Sequence, residues 1–206
     1  MKKIVYLLSM SFLLMTIFIG CGGNGSDKPK DEKKTEITAN DTAAPKEETK
    51  AENMDAKSYN DNLIDIQNSV ITEFLALSQT FSSNDKASID AAYKKSLEVT
   101  KKAVGDIKSA GPYEGDDEFR LKLQALLEFY QSIVENEYKE MIKIISKGSK
   151  IKPKDMDRLK EIQASITERE TKLDADMAAA QSGFAVKHGF RLETNKLQKD
   201  IDNMNK

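Results

Sequence analysis

From Tyr59 onward, apolar residues recur at steps of three and four, and no segment alternates with a period of two. That pattern is the signature of amphipathic helices packed through one face. A first stripe runs through Tyr59, Leu63, Ile66, Val70, Phe74, Leu77 and Phe81, with Ser58 as a candidate cap, and stops at Ser82, Ser83 and Asn84. A second holds Ile89, Tyr93, Leu97, Val104 and Ile107. Asn84 or Asp85 can cap it, and Gly111 followed by Pro112 ends it. The third is the longest: Phe119, Leu123, Leu126, Leu127, Tyr130, Val134, Tyr138, Met141 and Ile145, with Asp116 and Asp117 before it and Gly148 after it.

The fourth stripe opens at Pro153, a residue suited to the first helical position. It carries Leu159, Ile162, Ile166, Leu173, Met177, Ala180 and Phe184, and ends at Gly189. Leu197, Ile201 and Met204 suggest a short C-terminal helix. Four long helices joined by short turns predict an all-α fold, an antiparallel up-down four-helix bundle. The expected domain spans 57–206.

The N-terminus has a different character. Lys2 and Lys3 precede an apolar run, Ile4 to Ile19, broken only by Ser9, Ser11 and Thr16. This reads as a secretory signal over 1–20. Cys21 is the only cysteine. The stretch Phe18-Ile19-Gly20-Cys21 resembles a bacterial lipobox, with Phe18 where leucine is usual, and implies acylation of Cys21. Gly22 and Gly23 follow it, with no acidic residue beside the cysteine, a pattern resembling that of outer-membrane lipoproteins. Residues 21–56 are then an acylated cysteine and a disordered tether. The stretch has Pro29, Pro45 and many charged residues, and Ile37 and Met54 are its only large apolar side chains. Such composition cannot offset ordering entropy, and as a coil it would reach roughly 30 Å.

Composition and residue types exclude several chemistries. Lys+Arg is 32 and Asp+Glu 34, so the basic excess of a nucleic-acid binder is missing. A di-iron bundle needs Glu-x-x-His motifs, whereas the only histidine, His188, has Ala185 three residues before it. No haem motif, phosphate-binding glycine loop or nucleophilic constellation is present, so no metal, no cofactor and no enzymatic activity are expected. Tyr59, Tyr93, Tyr130 and Tyr138 lie on core stripes and are expected to pack. Arg169 and Glu170 interrupt the fourth stripe. They would either line a mid-bundle pocket or reach water by snorkelling.

An up-down arrangement would place the tether and Glu114, Asp116, Asp117 and Glu118 at one tip. Lys143, Lys147, Lys150, Lys152 and Lys154 would stand at the other. Lys147, Lys150, Lys152 and Lys154 are therefore candidate docking residues for an acidic protein partner.

The segments 111–116 (Gly-Pro-Tyr-Glu-Gly-Asp) and 129–141 (Phe-Tyr-Gln-Ser-Ile-Val-Glu-Asn-Glu-Tyr-Lys-Glu-Met), with Tyr59-Asn60-Asp61-Asn62-Leu63 and the stretch Gly183 to Phe190, resemble a family of small lipoproteins of spirochaetes and Bacteroidetes. That family includes the ErpY-like leptospiral surface lipoproteins. The resemblance spans roughly 57–204 and implies surface display. For the leptospiral members it also implies association with host complement regulators. It brings no catalytic residues.

The expected function is that of a lipid-anchored envelope or surface protein-interaction module without enzymatic activity, bound to the membrane through its lipid. Two alternatives are a binder of a host plasma protein and a carrier or sensor holding a small apolar ligand between helices.

Overall fold

The computed structural model describes residues 54–81, 85–193, 195 and 197. The signal segment, Cys21, most of the tether, the 82–84 turn, Ile201 and Met204 lie outside the described residues. The described chain is all-α. Its helices are α1 (Ala56–Thr80), α2 (Lys86–Ala110), α3 (Glu118–Ile133), α4 (Lys139–Ile145) and α5 (Pro153–Lys187). A π-helical segment, Val134–Tyr138, joins α3 to α4, and a 3-10 turn, Gly148–Lys150, precedes α5.

Local chemistry accounts for most boundaries. Asp55, not Ser58, caps α1: its carboxylate accepts from the Ser58 backbone N–H at 2.7 Å. Asp85 caps α2, accepting from Ala87 and Ser88. Gly111 ends α2 at φ 70 and ψ 173, a positive φ with an extended ψ. After Pro112 the chain reverses tightly, Tyr113 and Asp116 exchanging two backbone hydrogen bonds (3.0 and 2.7 Å) across Glu114 (φ 48) and Gly115 (φ 81). Positive φ at both central residues makes this a type I′ turn. Pro153 is the first residue of α5. At the far end the Phe190 N–H reaches back to the Ala185 carbonyl and Gly189 sits at φ 74, a Schellman closure.

The third stripe is not one regular helix. The π segment interrupts it at Val134–Tyr138, and the apolar spacing explains why. Leu126, Tyr130, Val134 and Tyr138 follow one another at three successive steps of four. In a regular α-helix each such step drifts about 40° around the axis. The wider π turn absorbs that drift, and all four residues stay buried.

The principal neighbours are α1 with α2, α2 with α3, and α3 with α5. One continuous apolar core runs through them. At one end the Tyr59 hydroxyl donates to the Gly111 carbonyl at 2.6 Å. Around it Phe184 of α5 meets Tyr59, Tyr113 and Phe119, with ring centroids 5.6, 5.7 and 5.8 Å away. Halfway along, Phe74 meets Tyr130 edge-on and Tyr138 at a tilt, both at 5.5 Å. Towards the other end Arg158 of α5 forks onto Glu140 at 2.8 and 3.0 Å. No helix among the described residues is long and apolar enough to cross a membrane.

Candidate functional site

The polar chemistry of the interior concentrates halfway along the bundle, beside the π segment. On α1 Ile66 packs against the core but is only partly buried, and the adjacent Gln67 is the one fully enclosed. Gln67 is 1% exposed, and neither end of its amide has a hydrogen-bond partner. On α3 the Tyr130 hydroxyl is fully buried. It lies close enough to Glu170 of α5 to favour that carboxylate, yet forms no regular hydrogen bond. Asp174, one turn beyond Glu170, has a buried Oδ1 without a partner, and so has Glu137 Oε2 on the π segment.

Gln67 shares its face of α1 with a residue that contacts α5. The Gln181 amide of α5 donates to Asn60 Oδ1 of α1 at 2.9 Å, and both residues are buried. Seven residues are close to two full turns. Gln67 is seven residues after Asn60, and Asp174 is seven before Gln181. Gln67 and Asp174 therefore lie on the same faces of α1 and α5 as Asn60 and Gln181.

Burial sets the electrostatics of this cluster. It pushes the Glu170 carboxyl up to about 7, although the Tyr130 hydroxyl opposes the rise. It pushes Asp174 to about 7 as well, with repulsion from Glu170 adding to the effect. Tyr130 and Tyr138 are held well above the ordinary phenol range, first by burial and then by the neighbouring carboxylates. Near neutral pH this pair of carboxyls holds protons that ordinary carboxylates would have lost.

The cluster contains no cation of its own. Arg169, next to Glu170, turns outward: Nη1 lies 2.7 Å from Glu137 Oε1, and the guanidinium carbon is 4.7 Å from the Phe129 ring centre. The two residues that break the fourth stripe thus separate. Arg169 reaches the surface as snorkelling predicts, while Glu170 goes inward. The signal for Glu170 was the break itself. Gln67 and Asp174 gave none, because each has an apolar residue next to it that fits the stripe. Among the described residues no group of three or more His, Cys, Asp or Glu side chains could hold a metal ion.

The two ends carry charge in a more balanced form than their sequences suggest. At the lysine end, Lys147 Nζ bonds Asp155 Oδ1 at 2.8 Å, and the Lys152 backbone N–H donates to Asp155 Oδ2 at 3.0 Å. The Lys147 hydrogen bond, the Lys152 N–H and the positive charge of Lys154 keep the Asp155 carboxyl below its ordinary range. Lys150 stands exposed in the 3-10 turn, and Lys152 and Lys154 are exposed at the start of α5. Asp155, which the stripes gave no reason to single out, therefore pairs with the Lys147 ammonium and with the Lys152 backbone, and leaves the Lys150, Lys152 and Lys154 side chains exposed. At the opposite end Asp116 accepts from Lys187 at 2.9 Å and lies 3.1 Å from His188 Nε2. Asp117 pairs with Arg120. His188 is packed against the Tyr113 and Phe184 rings.

Comparison with family models, with curated proteins and with solved structures finds no match for this chain.

Proposed function

We propose that the chain is a bacterial envelope lipoprotein. Acyl chains on Cys21 anchor it, most simply at the outer membrane and displayed at the surface, and its helical domain is a non-enzymatic protein-interaction module. The domain in this reading is an antiparallel up-down four-helix bundle. One observation carries the proposal: the point where the tether enters and the lysine-bearing turn lie at opposite ends of α5. Tyr59, three residues into α1, packs on Phe184 near the end of α5, whereas Lys150, Lys152 and Lys154 flank its first residue, Pro153. At 1.5 Å per residue those ends are roughly 45 Å apart. A membrane at the tether end leaves the lysines facing outward, where positive charge speeds encounter with an acidic protein surface.

The anchor and the docking end are tested separately. Cys21→Ala should move the protein from the membrane fraction to the soluble fraction while its helical circular dichroism persists. Retention of that variant in the membrane would refute the anchor. For the docking end, Lys150→Ser, Lys152→Ser and Lys154→Ser are combined, leaving the Lys147–Asp155 pair intact. Binding to a captured partner should weaken and lose its salt dependence. Undiminished, equally salt-sensitive binding would refute the docking role.

A further inference from the structure

α1 carries a second apolar line beside its core line. Ile64, Ile71 and Leu75 each follow a core residue, Leu63, Val70 or Phe74, by one position. Their line therefore lies about 100° around the helix from the core line. Among the described residues Ile71 and Leu75 stand outside the continuous core, yet Ile71 is only 6% exposed and Leu75 is half-buried. The line borders α5, because Asn60, four residues before Ile64, accepts from the Gln181 amide. α1 and α5 meet far less closely than α1 and α2 do, which leaves the seam between them open along this line.

The end of the described chain arrives at the same place. After α5 closes at Gly189 the chain runs back along α1. Glu193 lies 3.6 Å from Lys57 Nζ, and Asn195 and Asn68 exchange side-chain hydrogen bonds at 2.7 and 3.4 Å. Asn68 stands on the second line, between Ile64 and Ile71. Asn195 Oδ1 also accepts from the Leu197 N–H at 3.0 Å, and Leu197 is helical and half-buried. That is the geometry of an N-cap. Leu197, Ile201 and Met204 then follow at steps of four and three, with Lys199, Asp202 and Lys206 on the opposite side. As a helix the residues after Asn195 would reach about 16 Å, and α1 continues about 18 Å beyond Asn68 to Thr80.

We infer that residues 196–206 form a C-terminal helix, parallel to α1, whose Leu197, Ile201 and Met204 pack on Ile64, Ile71 and Leu75 in the seam between α1 and α5. The chain's own C-terminus is the occupant of this face. While it is seated, the face is closed to a protein partner, and any partner that uses it must displace the helix.

The test is disulfide mapping in the full-length chain with Cys21→Ala, which removes the only native thiol. Leu75→Cys combined with Ile201→Cys should close an intramolecular disulfide under mild oxidation, read as a faster-migrating monomer on a non-reducing gel. Ala76→Cys, one residue on and exposed, should not close with Ile201→Cys, because the bond needs facing Cβ atoms. Hydrogen exchange on the unmodified chain gives a readout that needs no variant. An isolated helix this short is marginal in water, so amides of 198–206 protected by about tenfold or more over the unfolded rate report a docked helix. Ile201→Asp should abolish that protection and speed exchange over 64–75. Unprotected exchange of 198–206 in the unmodified chain would overturn the assignment, as would protection that survives Ile201→Asp. Failure of the first cysteine pair to close, or equal closure of both pairs, would do the same. Closure only between chains would make a second copy the occupant and refute the chain's own C-terminus.

Discussion

Replacing Glu170 by glutamine should stabilise the protein at high pH and leave it unchanged at low pH. Burial lifts this carboxyl from 4.5 to about 7. The folded state therefore binds the Glu170 proton more tightly than the unfolded chain does. Stability is then greatest below the unfolded value, falls as pH rises towards the folded value, and levels off above it. A rise of that size corresponds to roughly 3 kcal/mol of destabilisation once Glu170 is fully ionised. Glutamine keeps the shape and removes the ionisation, so Glu170→Gln should gain up to about 3 kcal/mol at pH 8.5 and close to nothing at pH 4.5. Asp174 adds to the gain, because part of its own rise comes from the Glu170 charge.

Carboxyls of the opposite kind do not confuse the reading. Glu128 and Glu140 are lowered by hydrogen bonds from Lys108 and Arg158. Asp116 is lowered by Lys187 and His188 despite its burial. Stability from these groups is present above the ordinary carboxylate range and is lost as pH falls below it, outside the 4.5-to-7 window. The assay is urea denaturation followed by circular dichroism, on wild type and variant, in steps from pH 4.5 to pH 8.5. A difference between the two that does not change with pH would refute the reasoning, as would a wild-type stability that climbs steadily through the window.

Two further substitutions probe the packing. Phe184→Ala removes a side chain of 3% exposure that touches Tyr59, Tyr113, Phe119, His188 and Phe190. It should cost about 3–5 kcal/mol in denaturant titration; a loss below about 1 kcal/mol would mean that the end of the bundle is not closed by this ring. Gln67→Leu exchanges an amide without partners for an apolar side chain of similar size and should raise stability by about 1–3 kcal/mol. Thermal unfolding would show this as a higher Tm, and a lowered Tm would mean that the amide is satisfied in solution.

The helices themselves were legible from spacing alone. Leu63, Val70, Phe74 and Leu77 on α1, or Leu159, Ile162 and Ile166 on α5, recur at helical spacing, and each is buried. Turn chemistry was legible where a residue has one conformational use, as with Pro153 at a helix start and Gly189 at a helix end. Cap identity was less so: Asp55 and Ser58 are both good caps, and only the point where the core begins distinguishes them. The candidate site was half visible. Glu170 broke a stripe and drew attention. Gln67 hid beside Ile66, since a polar residue adjacent to an apolar one leaves the apparent period intact. The π segment was written in the three consecutive four-residue steps, whose drift of about 40° each a regular helix would not absorb. Ion pairs such as Lys147–Asp155 and Asp116–Lys187 depend on which helix ends meet, and that is settled by tertiary packing rather than by local pattern.

The aromatic closure around Phe184 also determines how the domain carries mechanical load. Tyr59, at the first turn of α1, is held by the Gly111 carbonyl and by the Tyr113 and Phe184 rings. Any pull arriving through residues N-terminal to α1 meets that knot first. A force opposed at the far lysine turn would run along the helix axes and strain many side-chain contacts together, as a lap joint does. A force applied between the start of α1 and the end of α5 acts across two helix ends that already touch, and would peel them apart one contact at a time. The same domain is therefore stiff when loaded lengthwise and weak when its two ends are drawn apart.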